Sequence, residues 1–253
     1  MPRRAIENGV RGKRMYLYAI TDRPEAPVPE RVGLSRASLL SLAYLNIAAV
    51  VDPLVTMEVA PTEANLWEHE AVVEALMEDR TVLPVRFGTA LADEAAVQAA
   101  LAARYANLVA NLERVRGRVE VGLRVLWGDD PPPATSDTQG RARSGGRAYL
   151  LARLEKERLA RARRQRAEAL AAALYGTLAG VAVESTQQVL ITPRLLLTAS
   201  FLVERDQVAT FRREAEALSA VYPALQFLCT GPWPAYSFVT TAGLDVDLEG
   251  ATG

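Results

Sequence analysis

Cysteine and histidine are almost absent from this chain of 253 residues, which holds one of each. A single cysteine, Cys229, excludes an internal disulfide and a cysteine-based zinc site, and a single histidine, His69, excludes a multi-histidine metal site. The sequence contains no GxxxxGK[ST] phosphate loop and no GxGxxG motif. We therefore expect no bound metal, no cofactor and no catalytic residue, in a protein that is not an enzyme.

Long apolar runs and an excess of one charge are also missing. The longest apolar-leaning stretch, LLSLAYLNIAAVV at 39–51, contains a serine and an asparagine, whereas about 20 apolar residues are needed to cross a bilayer. The net charge of −1 supplies no field for nucleic acid or a lipid membrane. The N-terminal MPRRAIENGVRGKR lacks the apolar segment of a secretory signal, and we expect a cytoplasmic protein.

Hydrophobic residues make up 50% of the chain, and their spacing predicts helices and strands in alternation. Thr62 and Asp93 are the predicted N-caps of helices at 62–79 and 93–113, and Asp206 is the predicted cap of a final helix. A longer helix is predicted at 147–179. Strands are predicted at 15–20, within 42–52, at 82–88, at 119–127 and on both sides of ITPR, with extended segments in LQFLCT and AYSFV.

From residue 117 onward the predicted order is strand, helix, strand, strand, helix, strand, which is the order of the ferredoxin-like fold. The sequence therefore predicts an α+β protein with two domains, an N-terminal one at 15–116 and a ferredoxin-like one at 117–241. An N-terminal extension at 1–14, a flexible loop at 128–146 inside the second domain and a C-terminal tail at 242–253 complete the organisation.

Two charged stretches resemble sites but have simpler interpretations. His69 lies in LWEHE beside two glutamates, yet it falls on the apolar face of its predicted helix, which indicates a core histidine rather than a catalytic one. RLEKERLARARRQR at 153–166 holds seven basic residues, two glutamates and no aromatic residue to stack on bases. That pattern is typical of a solvated helix face, and a docking surface for an acidic partner remains the alternative.

Arg86 is the first of four residues that are candidates either for partner contact or for a structural role. It interrupts the apolar stretch LPVRFGT at 83–89, where its guanidinium is expected to pair with a carboxylate at a sheet edge or a domain junction. Binding of an anionic ligand is the alternative.

The other three candidates lie in GPWPAYSFV at 231–239. Its two prolines prevent pairing as a central strand, so the stretch is predicted to turn the chain and to deliver Tyr236 and Phe238 to one face. Trp233 then either packs under the domain junction, which we favour, or serves as an exposed aromatic anchor for a partner.

Four separated stretches resemble the gas vesicle protein F/L family. They are MYLYAI at 15–20, LWEHEAVVEALMEDRTVLPVRFGT at 66–89, GRAYLLARLEK at 146–156 and CTGPWPAYSFV at 229–239, and they occur in register from about 15 to 240. The resemblance implies two α+β domains, the second a modified ferredoxin-like (βαββαβ) fold, and no catalytic residues. It also implies an accessory protein of gas vesicles, the gas-filled protein shells that give some microbes buoyancy.

The resemblance implies a role in vesicle assembly, in the cytoplasm and at the gas vesicle. The expected partners are the small, very apolar main shell protein and other accessory proteins, either transiently or with the chain retained as a minor structural component. F-type and L-type membership are both open. A function of another class, a small-molecule-binding regulatory module, rests only on analogy with other ferredoxin-like sheets.

Overall fold

The computed structural model describes residues 14–31, 33–54, 59–128, 146–188 and 195–239. The predicted N-terminal extension, the C-terminal tail, the ITPR turn and nearly all of the predicted loop at 128–146 lie outside the described residues. By its internal contacts the chain divides into two compact units, which are described separately. Unit 1 is Met1–Gly117 with Pro234–Gly253, and unit 2 is Arg118–Trp233.

Unit 1 is built on an antiparallel sheet in which the strand order is β2–β3–β1–β4, with β5 also paired to β1. The strands are β1 (Arg14–Thr21), β2 (Leu40–Tyr44), β3 (Ile47–Leu54), β4 (Val82–Pro84) and β5 (Ala90–Leu91). Central strands β1 and β3 are buried along almost their whole length. They therefore appear in the sequence as nearly continuous apolar runs rather than as alternating patterns.

Helices α1 (Glu63–Met77) and α2 (Glu94–Val115) belong to unit 1, and both predicted N-caps are confirmed. The Thr62 hydroxyl accepts the backbone N–H of Asn65 at 3.3 Å, and the Asp93 carboxylate accepts that of Ala96 at 2.8 Å. α1 buries one face, made of His69, Val72, Val73 and Leu76. Leu66, about one turn before His69, is 42% exposed.

Unit 2 has a second antiparallel sheet, with the strand order β7–β8–β6–β9. Its elements along the chain are β6 (Arg118–Trp127), α3 (Gly146–Ala179), β7 (Glu184–Gln188), β8 (Leu195–Glu204), α4 (Val208–Val221) and β9 (Leu225–Trp233). Alternate residues of β6 and β8 meet the buried sides of α3 and α4 in an apolar core. The chain thus has a mixed α+β fold with two antiparallel sheets.

Three predicted elements differ from the structure. The single strand expected within 42–52 is a hairpin, β2 and β3, joined by the two-residue turn Leu45–Asn46. The strand expected at 82–88 ends at Pro84. Asp206 does not cap α4, because it lies in a 3₁₀ turn at Arg205–Gln207 that precedes the helix.

The stretch GPWPAYSFV is also arranged differently from the prediction. β9 continues through Trp233, and the prolines are accommodated because β9 is an edge strand. Gly231 has a φ of 104°, and a Cβ there would lie 2.7 Å from the Glu120 carbonyl oxygen. AYSFV then forms turns rather than a strand. By its internal contacts it belongs to unit 1, where the Phe238 carbonyl accepts a hydrogen bond from Arg114 of α2. The extent of the second domain, 117–241, stays a prediction.

Candidate functional site

His69 is the centre of a buried polar cluster in unit 1. Its Nδ1 atom lies 2.9 Å from the Tyr16 hydroxyl of β1, and its Nε2 atom lies 3.1 Å from the Val85 carbonyl oxygen. Because a carbonyl only accepts, Nε2 carries the proton and Nδ1 accepts from the tyrosine. The Tyr16 oxygen in turn accepts the backbone N–H of Gly88 at 3.2 Å. Both ring nitrogens of His69 are therefore occupied by structural hydrogen bonds.

Aromatic rings enclose this histidine. The Tyr18 ring stacks on it with centroids 5.3 Å apart, and the Phe87 ring meets it edge-on at 5.7 Å. Burial lowers the pKa of His69 to about 4, against the opposing effect of its bond to the Val85 carbonyl, so the ring is neutral at neutral pH. Burial likewise raises the pKa of Tyr16 above its ordinary value. The prediction of a core histidine is confirmed.

Asp52 of β3 forms a second buried polar centre, which the sequence-based reasoning missed. Its carboxylate is fully buried and accepts the Ser35 backbone N–H at 2.8 Å, the Ser35 hydroxyl and the Tyr18 hydroxyl at 3.4 Å. Gly33 approaches it so closely that a Cβ would lie 2.2 Å from Oδ2. Asp52 thus anchors the loop before β2. The only local signal is an acidic residue inside an apolar strand.

Arg86 has an exposed side chain in the turn after β4. The pairing of its guanidinium with a carboxylate stays a prediction. Its backbone carbonyl accepts the Thr89 hydroxyl at 2.8 Å, which orders the turn. Arg80 instead forms the paired, buried guanidinium of this region: Nε lies 2.7 Å from the Asp79 carboxylate, and Nη2 donates to the Pro27 carbonyl at 2.8 Å. β4 ends at Pro84, two residues before Arg86.

Tyr236 and Phe238 have structural surroundings in unit 1. Phe238 is 6% exposed, and its carbonyl oxygen accepts from Arg114 Nη1 at 2.8 Å. The buried Tyr236 hydroxyl faces the half-buried Glu70 carboxyl of α1. Burial raises the pKa of Glu70, and the nearby hydroxyl opposes that shift. Neither of these two aromatic side chains is open to a partner.

Trp233 differs from both, because it is 36% exposed at the end of edge strand β9. Its favoured packing under the domain junction stays a prediction. Phe227 and Cys229 of the same strand pack on the apolar core of unit 2. Successive residues of a strand point to opposite faces, so Leu228, which is 49% exposed, lies on the other face. Leu228 and Trp233 pair with Arg124 and Glu120 of β6, and a register shift between these pairs brings Trp233 to the same face as Leu228. We call Leu228 and Trp233 the β9 surface.

The described parts of the chain hold no candidate metal site and no candidate membrane span. Across those ranges, no three histidine, cysteine or acidic side chains come together in a way that could hold a metal ion. None of the described helices combines the length and the apolar character that a membrane span requires.

The fold is that of gas vesicle F proteins. The crystal structure of GvpF from Anabaena sp. PCC7120 superposes with a TM-score of 0.74 at 21% sequence identity, covering 91% of this chain and 99% of that one. The crystal structure of GvpF from Microcystis aeruginosa gives a TM-score of 0.69 at 19% identity, covering 89% and 98%.

The sequence identifies the family. The model of the family described as gas vesicle synthesis protein GvpL/GvpF matches residues 14–240. Gas vesicle protein L of Streptomyces sp. (strain CB03234) is 30% identical, covering 91% of this chain and 94% of that protein. Gas vesicle protein F2 of Halobacterium salinarum (strain ATCC 700922 / JCM 11081 / NRC-1) is 27% identical, covering 89% and 91%. The chain belongs to the GvpL/GvpF family, as the resemblance implied, and is a gas vesicle-related protein.

Proposed function

We propose that this protein acts in gas vesicle assembly by binding the main shell protein through the β9 surface, together with other accessory proteins, and that it stays with the vesicle as a minor component. Family membership supports the setting. The observation that carries the contact is the exposure of Leu228 and Trp233 on one edge strand.

An edge strand suits the binding of an apolar shell protein for two reasons. Its outer backbone groups are available to pair with a segment of another chain, and its apolar side chains cover apolar surface on that segment. Tryptophan supplies a large contact area and is common among the residues that dominate binding energy. A very apolar shell subunit must be covered before it enters the wall, and the β9 surface offers such cover without a charge requirement.

The proposal includes a ferredoxin-like fold for unit 2. The chain order of strand, helix, strand, strand, helix, strand supports it, as does the antiparallel sheet in which β6 and β8 are central and β7 and β9 are at the edges. Of the two edge strands among the described residues, β9 is the one that carries the exposed Leu228 and Trp233.

Co-expression with the main shell protein and pull-down through an affinity tag on this chain tests the contact. Binding by apolar groups should persist at about 0.5 M salt, where charge interactions are screened within a few ångströms. Leu228→Ser with Trp233→Ser should abolish capture at both low and high salt, and should fail to restore vesicles in a deletion strain.

Val221→Ser is the matched control, since Val221 is 68% exposed in the same unit but at the end of α4. It should leave capture unchanged. If the wild-type chain captures no shell protein even with other accessory proteins present, the binding proposal is wrong, and a panel of small molecules screened by thermal shift would address the regulatory-module alternative.

A further inference from the structure

The first two-thirds of α3 has no packing partner among the described residues. The helix has 34 residues, about 51 Å at 1.5 Å per residue, and its buried positions begin only at Ala167. Every described side chain from 150 to 166 is exposed. In proteins, most of the stability of a helix comes from the packing of an apolar face against something else rather than from helix propensity.

The exposed part of α3 has an ordered face. At about 100° per residue, Leu150, Leu151 and Leu154 cluster on one side, and Arg158 and Arg161 continue the same side one and two turns later. The three leucines are 56–59% exposed. We call these five residues the α3 surface.

This face points away from the core of unit 2. The buried positions of α3 at Ala171, Leu174 and Leu178 lie roughly opposite on the helical wheel. The surface is also basic, because Arg158 and Arg161 lie on it, within a stretch at 153–166 whose seven basic and two acidic residues give a net charge of +5. A complementary partner surface should therefore be acidic and should carry an apolar or aromatic group.

The chain itself carries such a surface on α1. Glu63–Met77 contains four glutamates and no lysine or arginine. Glu63, Trp67, Glu74 and the following Glu78 lie opposite the buried face of the helix, and we call them the α1 surface. Trp67 is 63% exposed, and its indole N–H donates to the Glu63 carboxylate at 3.4 Å.

We infer that the α3 surface of one copy of this protein docks on the α1 surface of a second copy. The charges are of opposite sign, and both faces carry exposed apolar groups beside them. Trp67 can pack on the leucines and on an arginine guanidinium, which is the favoured cation for an aromatic face. Each copy has one surface of each kind, so two reciprocal contacts give a two-fold dimer, and single contacts in series give chains or rings of copies.

This inference is independent of shell-protein binding, because it uses neither Leu228 nor Trp233. It also predicts the opposite response to salt. Contacts between exposed charges weaken as the Debye length shortens, so association should be strong at about 50 mM salt and weak at about 0.5 M. Sedimentation velocity of the purified full chain, over about 1–100 µM and at both salt concentrations, measures how self-association depends on protein concentration and on salt.

Charge reversal with rescue is the decisive test. Variant A carries Arg158→Glu and Arg161→Glu, and variant B carries Glu63→Lys and Glu78→Lys. The self-association constant of each variant should be lower than that of wild type by about tenfold or more, because each reversed charge now faces charges of its own sign. An equimolar mixture should associate again, because the reversed α3 surface of A then meets the reversed α1 surface of B, and the two unaltered surfaces also match.

The control variant carries Arg164→Glu and Arg166→Glu, which change the charge of the same helix equally but lie off the α3 surface. Its association should stay within about twofold of wild type at equal ionic strength, and circular dichroism should show that all variants are folded. A wild-type chain that is monomeric throughout, variants A and B that associate like wild type, or a mixture that stays monomeric would each overturn the inference.

Discussion

The cores of the two units are built differently. In unit 1, β1 and β3 bury Tyr16, Tyr18 and Asp52, whose polar ends bond to His69 and to the loop before β2. In unit 2 the buried cluster consists of aliphatic and phenyl side chains. A buried polar network stabilises the fold only while each polar group keeps its hydrogen-bond partner. An apolar core tolerates substitutions that keep its volume and is destabilised by those that change it. Unit 1 should therefore respond to protonation, and unit 2 to the loss of volume.

The largest effect is expected in unit 2. Phe211 is fully buried and packs on Phe201 with ring centroids 4.9 Å apart. Phe211→Ala should reduce the free energy of unfolding by about 3–5 kcal/mol. The substitution loses the hydrophobic transfer free energy of the phenyl ring, and it leaves a cavity whose lining loses packing contacts. Urea unfolding followed by the fluorescence of Trp127, in a Trp67→Phe and Trp233→Phe background, measures it within unit 2.

The decrease in the free energy of unfolding caused by Phe211→Ala should be the same at neutral and at mildly acidic pH, because the buried apolar cluster of unit 2 contains no group that titrates in this range. Val221→Ala, at an exposed position of the same helix, should change stability by less than about 0.5 kcal/mol. A pH-dependent loss at Phe211 would remove the proposed distinction between the two cores.

The second effect is the pH dependence of unit 1. The pKa of His69 is about 4 in the folded chain and about 6.5 in an unfolded one, so the unfolded state binds the proton more readily between these values. The stability that His69 contributes is complete above about pH 6.5 and declines as the pH falls toward 4. Relative to His69→Gln, wild-type unit 1 should lose about 2–3 kcal/mol between about pH 7.5 and 4.5.

The fluorescence of Trp67, in a Trp127→Phe and Trp233→Phe background, reports this unit. Glu70 has the opposite effect, because its raised pKa lets the folded chain take up a proton as the pH falls, but it is present in both proteins and cancels in the difference. Parallel pH profiles for wild type and His69→Gln would show that the imidazole is not held neutral by burial.

The smallest effect concerns the β2–β3 hairpin. Leu45 has a φ of 53°, a conformation that asparagine and glycine adopt more readily than leucine, and its side chain is 69% exposed. Leu45→Asn should therefore raise the free energy of unfolding of unit 1 by about 0.5–1 kcal/mol. Leu40→Asn, in the adjacent strand at 37% exposure, should give no gain. Equal effects at both positions would locate the cause outside the turn.

Local signals in the sequence predicted local structure well. The caps at Thr62 and Asp93 and the long helix at 147–179 depend on nearby residues, and the structure has them within a few positions. The hairpin was missed because Leu45–Asn46 is not a favoured turn pair and both of its strands are apolar.

Partnerships between distant residues were not predictable in the same way. Nothing near Arg80 in the sequence indicates that it, rather than Arg86, is buried against the Pro27 carbonyl. The bonds from His69 to Tyr16, and from Asp52 to Ser35, likewise join separate elements. A core position for His69 was predictable from helical spacing, but its hydrogen-bond partners required the tertiary structure.

Exposed apolar residues also distinguish the surfaces of the units. In unit 2, Leu228 and Trp233 lie on an edge strand, whereas in unit 1 Trp67 lies on an acidic helix. We propose that the first surface binds the main shell protein and that the second binds another copy of the chain. High salt separates these contacts, because it screens the charged one and leaves the apolar one in place.

The most direct measurement is hydrogen exchange of the full chain, with and without the main shell protein, at about 0.5 M salt. Binding at the β9 surface should slow amide exchange within 225–233 and leave α1 unchanged. Unchanged exchange at 225–233, together with slower exchange elsewhere in the chain, would contradict the assignment of the shell-protein contact to β9.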